Sequence, residues 1–332
     1  MYLDRHLAIP LLRAAQDGEP ILVQGPRGSG KTTLLRREFS GHIYVTLEDA
    51  ADRSRARRDP AAFLARLRGP AVIDDFQRAP ELNPHLTNLP LVLASSQRLT
   101  VGLKTFELYS PTRAERQRRP PLPLDMLGRF APVTHTPAHE LAPWPRTRRF
   151  LHDDVRRLVN VDDLDRFERF LDLAEAQSGE LLHQQELARA AGVAHRTVVR
   201  WLAVLDACFL TLQLEPADDD FGRRAVRRPK LHFLEHSTNF ESQVVSEIYR
   251  NARHADISPR LRYWRDSNGL EIPLLIEETP VQIAAQPTPA DEARLVRWMK
   301  LARVRHGAMI ARNPGLPGRR ESAVLRYTAS QL

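Results

Sequence analysis

The residues with the clearest chemistry sit in one loop. Gly25-Pro26-Arg27-Gly28-Ser29-Gly30-Lys31-Thr32 follows the apolar run Ile21-Leu22-Val23 and leads, through Thr33, into a helical pattern. Glycines at this spacing let the backbone wrap a polyphosphate, with amide N–H groups and a helix N-terminus turned toward its charge. Lys31 then reaches the β and γ phosphates, and the Thr32 hydroxyl ligates Mg2+. Gly25 through Thr33 are the expected ATP contacts. Downstream, Ala71-Val72-Ile73-Asp74-Asp75 is an apolar strand carrying carboxylates to its C-terminal end. Asp74 is suited to hold Mg2+ through water and Asp75 to orient an attacking water. Paired acids there can also cap a following helix, but a phosphate loop upstream favours the catalytic reading, with Lys31 and Asp75 as its catalytic pair. A later run ends Ala94-Ser95-Ser96-Gln97, where Ser96 and Gln97 are expected to sense the γ-phosphate.

A second kind of chemistry lies further along. Glu186 to Leu202 has helix-turn-helix spacing: Leu187, Ala188, Val193, Val198 and Leu202 supply apolar contacts, and Gly192 permits the turn. The second helix presents His195, Arg196, Thr197 and Arg200 outward, as a major-groove reader would. Phe209 to Glu215 and Arg227 to Glu235 are expected to pair as a winged hairpin carrying Arg223, Arg224, Arg227, Arg228 and Lys230 toward phosphates. Asp218-Asp219-Asp220 beside them partly cancels that field. Two readings stay open, contact with double-stranded DNA or packing of this module within an ATPase.

The elements that must position these residues follow from pattern. Up to about residue 115, short apolar runs (Ile21-Leu22-Val23, Ile43-Tyr44-Val45, Ala71-Val72-Ile73, Leu91-Val92-Leu93 and Phe106-Glu107-Leu108) alternate with helical stretches, which predicts a parallel α/β sheet. Asp59-Pro60 opens one such helix as cap and first-turn residue. From Pro111 to Pro145 there are eight prolines in 35 residues, and that density marks a linker or irregular lid. Asp162 to Gln177 carries a helical stripe of Leu164, Phe167, Phe170, Leu171 and Ala174. After Phe240 the pattern turns mixed α/β.

Composition narrows the classes. Of 332 residues, 42% are hydrophobic and 27% charged, which excludes collagen-like, mucin-like and wholly disordered chains. The single cysteine, Cys208, rules out an internal disulfide and fits a reducing, cytoplasmic setting. No apolar run approaches the roughly 20 residues that cross a bilayer, so no membrane partner is expected. The net charge of +8 comes from 49 basic residues, of which only Lys31, Lys104, Lys230 and Lys300 are lysine. That balance invites a polyanion, although an arginine bias this strong also reads as base composition.

These residues resemble a widespread bacterial and archaeal ATPase family of the AAA+/STAND-like P-loop group, whose members carry a C-terminal domain of unassigned function. The resemblance covers nearly the whole chain. It rests on Tyr2-Leu3-Asp4-Arg5, on Gln24 through Thr33, on Asp59 through Leu64, on Ile73 through Leu82, and on Phe240-Glu241, Glu247-Ile248-Tyr249, Tyr263-Trp264-Arg265 and Gly269-Leu270-Glu271. It implies an ATP-driven switch, with the sensor strand lying between the P-loop and Walker B strands, and a C-terminal domain of restriction-endonuclease type. This chain departs from the pattern. Asp75 stands where a glutamate is usual, and Leu103 where the family usually places an arginine, which implies slow hydrolysis. In the C-terminal domain Glu241 and Glu271 remain, but Pro273, Gln282 and Ala284 replace the aspartate, glutamate and lysine of a metal-dependent nuclease, so cleavage is not expected.

The expected architecture is α/β: a P-loop ATPase domain at 1–116, a Pro-rich linker or lid at 117–148, a helical winged-helix domain at 149–236, and a degenerate endonuclease-like α/β domain at 237–332. The expected function is an ATP-binding, slowly hydrolysing ATPase acting as a switch with Mg2+, with DNA, a protein partner or a second copy of the chain as its target. The alternative is a non-enzymatic winged-helix DNA-binding regulator with a structural nucleotide.

Overall fold

A computed structural model describes residues 2–86, 89–121, 164–218, 221, 226–235, 237–312 and 324–328. The chain divides into two compact units. The first comprises Met1–Pro121 with the short segments Asp206–Phe209 and Arg250–Ile257; the second comprises Leu122–Leu205, Leu210–Tyr249 and Ser258–Leu332. The Pro-rich stretch expected as a linker lies outside the described residues from 122 onward.

The first unit is built on five parallel strands, β1 (Ile21–Gln24), β2 (Ile43–Thr46), β3 (Ala71–Asp74), β4 (Leu91–Ser95) and β5 (Lys104–Glu107), in the order β2-β3-β4-β1-β5. β1, β3 and β4 are buried along their whole length, as central strands covered on both faces must be, and they are the continuous apolar runs of the sequence. Alternate residues separate to two cores. Ile21, Val23, Val72, Val92 and Ala94 pack with α1 (Ala8–Ala15) and α2 (Lys31–Glu38). Leu22, Ala71, Ile73, Leu91 and Leu93 pack with α3 (Ala50–Arg58) and α4 (Pro60–Ala65) on the other face. Asp49 caps α3 by accepting from the amides of Ala51 and Asp52 at 2.8 and 2.9 Å, and Asp59 caps α4 with Pro60 in its first turn. β4, which ends in the Ser95-Ser96-Gln97 segment, pairs with β1 on one side and β3 on the other, so the ends of all three strands converge. A short helix, α5 (Arg113–Arg116), closes the segment after β5.

In the second unit, α6 (Leu164–Ala176) is followed by α7 (Gln184–Ala191) and α8 (His195–Ala207), whose last two residues belong to the first unit. Gly192, left-handed at φ 70, ends α7 and makes the turn into α8. β6 (Thr211–Leu214) and β7 (Lys230–Phe233) pair antiparallel. Next come α9 (Phe240–His254), whose residues from Arg250 onward belong to the first unit, the strands β8 (Leu261–Arg265), β9 (Glu271–Ile276) and β10 (Thr279–Ala284), α10 (Pro289–Ala302), and the strands β11 (Gly307–Ala311) and β12 (Val324–Thr328). These last five strands form a mixed sheet in the order β12-β11-β10-β9-β8. Val244, Val245 and Ile248 of α9 pack on one face with Leu274 and Ile276, while Leu295, Trp298 and Met299 of α10 pack on the other with Ile272 and Leu275. Pro273 has no N–H to give its neighbour, and the register between β8 and β9 shifts beside it, between Arg262 and Trp264. No helix among the described residues is long and apolar enough to cross a membrane.

Candidate phosphate-binding site

The loop after β1 has a backbone that only glycine tolerates at its start. Gly25 sits at φ 155, and a Cβ there would overlap the carbonyl oxygen of Leu108. The Gly25 amide donates to the Ser95 carbonyl at 3.2 Å, tying the loop to the end of β4. Gly30, left-handed at φ 95, starts α2. Inside the loop the Lys31 ammonium donates to the carbonyls of Gly25 and Pro26 at 2.8 and 2.9 Å and lies 3.5 Å from Ser29 Oγ. It is buried, at 7% exposure, so its charge is held among loop oxygens and away from bulk water.

Facing the first turn of α2 is the end of β3. Thr32 Oγ1 donates to Asp74 Oδ2 at 2.7 Å, and Tyr44 from β2 donates to the same oxygen through its hydroxyl. Burial first, and the Asp74 bond second, push the Tyr44 phenol up to about 12, so it stays a donor at any physiological pH. A hydroxyl and a carboxylate side by side at a helix N-terminus are the hard oxygen donors that suit Mg2+ alongside nucleotide phosphates. Asp75 follows in a left-handed conformation, φ 57, with its amide donating to Asp74 Oδ1 at 2.9 Å. The Asp75 carboxylate accepts from Gln77 Nε2 at 2.9 Å and has Arg78 Nε at 3.8 Å. Gln77 also reaches Ser96: its Nε2 donates to Ser96 Oγ at 2.9 Å, and its Oε1 accepts from the Ser96 amide at 3.3 Å. Gln97 bonds instead to the neighbouring Ser95 through its main chain, its amide donating to Ser95 Oγ at 3.0 Å and its carbonyl accepting from the same hydroxyl at 2.7 Å. Arg27 lies 3.9 Å from Glu48, a pair too exposed to weigh much.

The loop, Thr32, Asp74, Asp75 and Ser96 thus come together at the C-terminal edge of the sheet. Three residues of the constellation had no role in the sequence reading. Tyr44 sits on the strand paired with β3, in register with Val72, and looked like one more apolar-run residue. Gln77 and Arg78 follow the acidic pair closely enough for the spacing to have hinted at contact.

The polyanion candidates divide. Arg196 and Arg200 are exposed on α8, and Thr197 is half-buried. Arg227 and Arg228 are exposed and partly engaged: Arg227 donates to the carbonyls of Ala217 and Asp218, and Arg228 donates to His183 Nδ1 at 3.1 Å. Arg223 and Arg224 lie outside the described residues. Lys230 corrects its expectation. It is 1% exposed, and its ammonium donates to Glu241 at 2.6 Å and Glu271 at 2.5 Å, so it faces inward between two carboxylates and cannot meet a phosphate backbone. Among the described residues no group of three or more His, Cys, Asp or Glu side chains could hold a metal.

Two family models match this chain in separate stretches. Residues 17–100, which contain the loop, Asp74, Asp75, Ser96 and Gln97, match the AAA domain family, and this match supports a P-loop ATPase. Residues 141–238 match a domain of unknown function, DUF8612. Two mycobacterial proteins, the uncharacterized proteins Rv2008c of Mycobacterium tuberculosis and Mb2031c of Mycobacterium bovis, are each 28% identical over 322 residues, covering 83% of this chain and 72% of theirs. Among solved structures, a Pif1 helicase from Candida albicans matches at 15% identity over 48% of this chain and 55% of that one. Its TM-score of 0.23 is too low to carry an argument about fold or function.

Proposed function

We propose that the chain is an ATP-binding, slowly hydrolysing AAA+-like ATPase that works as a nucleotide-dependent switch. The observation that carries this reading is the convergence of Lys31, Thr32 and Asp74 at one sheet edge, with Thr32 Oγ1 and Asp74 Oδ2 2.7 Å apart. The loop amides and the Lys31 ammonium bind and orient the β and γ phosphates. Thr32 and Asp74 hold Mg2+, which when bound neutralises charge on the transferring phosphoryl group. Asp75 orients the water and accepts its proton at the carboxylate, while Gln77 links that carboxylate to Ser96 at the end of the sensor strand. Slow turnover fits the short Asp75 side chain, already engaged by Gln77 and Arg78, and Leu103 where the resembling family places an arginine.

The domain division at 1–116, 117–148, 149–236 and 237–332 belongs to the same proposal, with the α7–α8 pair and the β6–β7 hairpin as the winged helix and the mixed sheet as a degenerate endonuclease-like fold. Within it a second reading is favoured by one observation, the exposure of Arg196 and Arg200 beside the Gly192 turn: a DNA-binding regulator in which nucleotide sets conformation without turnover. Titration with ATP and Mg2+ tests the first reading. Wild type should bind and Lys31→Ala should lose at least about tenfold in affinity, since a buried ammonium on a phosphate is a charge-assisted contact. Equal affinity in the two proteins sinks it. Phosphate release with and without duplex DNA separates the readings: turnover lost in Asp75→Ala supports the ATPase, and DNA binding with no turnover supports the regulator.

A further inference from the structure

Arg5 is 7% exposed and spends its guanidinium on three segments far apart in sequence. Nη1 donates to the Ser29 carbonyl of the phosphate loop at 2.8 Å, Nη2 to the Tyr109 carbonyl at 2.6 Å, and Nε to Glu115 Oε1 at 3.2 Å. The first contact bears on the loop's chemistry. In a trans peptide the carbonyl and the next amide point opposite ways, so holding Ser29 O toward Arg5 turns the Gly30 N–H away from it. Arg5 also packs against Gly30 itself: a Cβ there would lie 3.3 Å from Nη1. The guanidinium therefore sets the peptide plane at the point where the loop becomes α2.

What holds Arg5 is equally buried. Glu115 Oε1 accepts from Arg5 and from the His6 amide at 2.9 Å, and Oε2 accepts from the Thr112 amide at 2.8 Å as part of a capping box. His254, fully buried on α9, accepts the Tyr109 amide at Nε2, 2.9 Å away, which puts its proton on Nδ1, 3.1 Å from Glu115 Oε2. Burial lowers the affinity of His254 for a second proton by more than Glu115 raises it. Burial raises the Glu115 carboxyl, but His254, Arg5 and the Thr112 amide outweigh it and keep the group ionised. Arg5, Tyr109, His254 and Glu115 thus close a ring of contacts, hydrogen-bonded from Glu115 through Arg5 and Tyr109 to His254 and closed by the 3.1 Å approach of His254 Nδ1 to Glu115, and the loop hangs from one corner.

We propose that Arg5 is the positioning residue of the phosphate loop, fixing the Ser29–Gly30 peptide for phosphate binding, and that Glu115 and His254 lock Arg5 in that role. The proposal rests on the nucleotide-binding reading above. A lysine at position 5 keeps the charge beside Glu115 but cannot span three acceptors as a planar fork does. In the full chain, well below each protein's melting temperature, Arg5→Lys should weaken ATP and inorganic tripolyphosphate alike by about tenfold or more, the effect of losing a charged hydrogen bond to a buried carbonyl. Hydrogen exchange gives an independent readout. Adding ATP should slow exchange at the loop in wild type and also in stretches 109–116 and 250–257, and Arg5→Lys should lose that remote protection. Should Arg5→Lys fail to fold, Glu115→Gln carries the test with the same expectations, because it leaves the loop's own sequence intact. An Arg5→Lys protein that melts earlier but binds ATP within twofold of wild type, with remote protection intact, overturns the proposal and leaves a purely structural ion pair. Lys31→Ala measured alongside distinguishes the failures. If it loses ATP while Arg5→Lys does not, the brace alone is wrong. If it binds like wild type, the nucleotide reading itself has failed.

Discussion

Replacing Lys230 by methionine removes a buried cation while nearly preserving volume. The Lys230 side chain is 2% exposed, and its ammonium is the shared partner of Glu241 and Glu271. Deleting one member of a buried ion pair costs about 3–5 kcal/mol, because the other charge is left uncompensated. Two features argue for the lower end, about 3 kcal/mol. Glu271 keeps Arg265 at 3.0 Å, and the two glutamate side chains retain 18 and 19% exposure, enough for some access to water. The cost should depend on pH, with a definite sign. Burial pushes Glu241 up to about 7 against the pull of Lys230, so losing the lysine moves it higher still and leaves it protonated over a wider range. His232 is held down to about 3, by burial first and by Lys230 second, so the same loss lets it charge more readily. Both changes relieve the variant in acid: its deficit against wild type should be small near pH 5 and full near pH 8. Urea unfolding followed by tryptophan fluorescence is the suitable assay, since the described tryptophans, Trp201, Trp264 and Trp298, all belong to the second unit. A variant within about 1 kcal/mol of wild type at pH 8 would refute the reasoning, because it would mean the carboxylates are relieved without the lysine.

Two further substitutions probe the loop and its neighbours. Gly25→Ala forces a Cβ into the Leu108 carbonyl at a backbone angle reserved for glycine, and should destabilise the first unit by more than about 2 kcal/mol and abolish ATP binding; thermal melting and titration check this, and an alanine protein that binds normally would show that the Leu108 segment yields. Gln77→Ala should cut kcat by about tenfold with little change in ATP affinity, because Gln77 touches Asp75 and Ser96 and not the loop; a rise in Kd at constant kcat would place Gln77 in binding instead.

Residues close in sequence were the legible ones. β1, β3 and β4 read as strands because a parallel sheet covered on both faces needs unbroken apolar runs, and the loop stood out because glycine spacing, a lysine and a hydroxyl all fall within a few residues. Tyr44 and Arg5 were not legible: each acts through a side chain reaching a segment that only the folded topology brings near, and neither spacing nor period records that. Lys230 misled for a related reason. It closes the basic stretch that includes Arg223, Arg224, Arg227 and Arg228, and that local charge outweighed its place in β7, where every residue is buried. Its partners Glu241 and Glu271 come from α9 and β9, and no local pattern announces them.

The arginine bias gives these buried cations a common logic. With four lysines among 49 basic residues, arginine is the default cation of this chain, and Lys104 and Lys300 are exposed like most of it. The two buried lysines stand where oxygens crowd around a single point. Lys31 meets the Gly25 and Pro26 carbonyls within the span of one loop, and Lys230 meets two carboxylates at 2.5 and 2.6 Å. A compact ammonium with three rotatable donors fits such a centre; a planar guanidinium does not, because its donors diverge. Arg5 presents the opposite problem, with acceptors on three segments lying in different directions, and there the fork fits and the ammonium fails. Net charge therefore says little about this protein's partners until buried cations such as Arg5 and Lys230 are set aside, since both are committed to oxygens of their own chain.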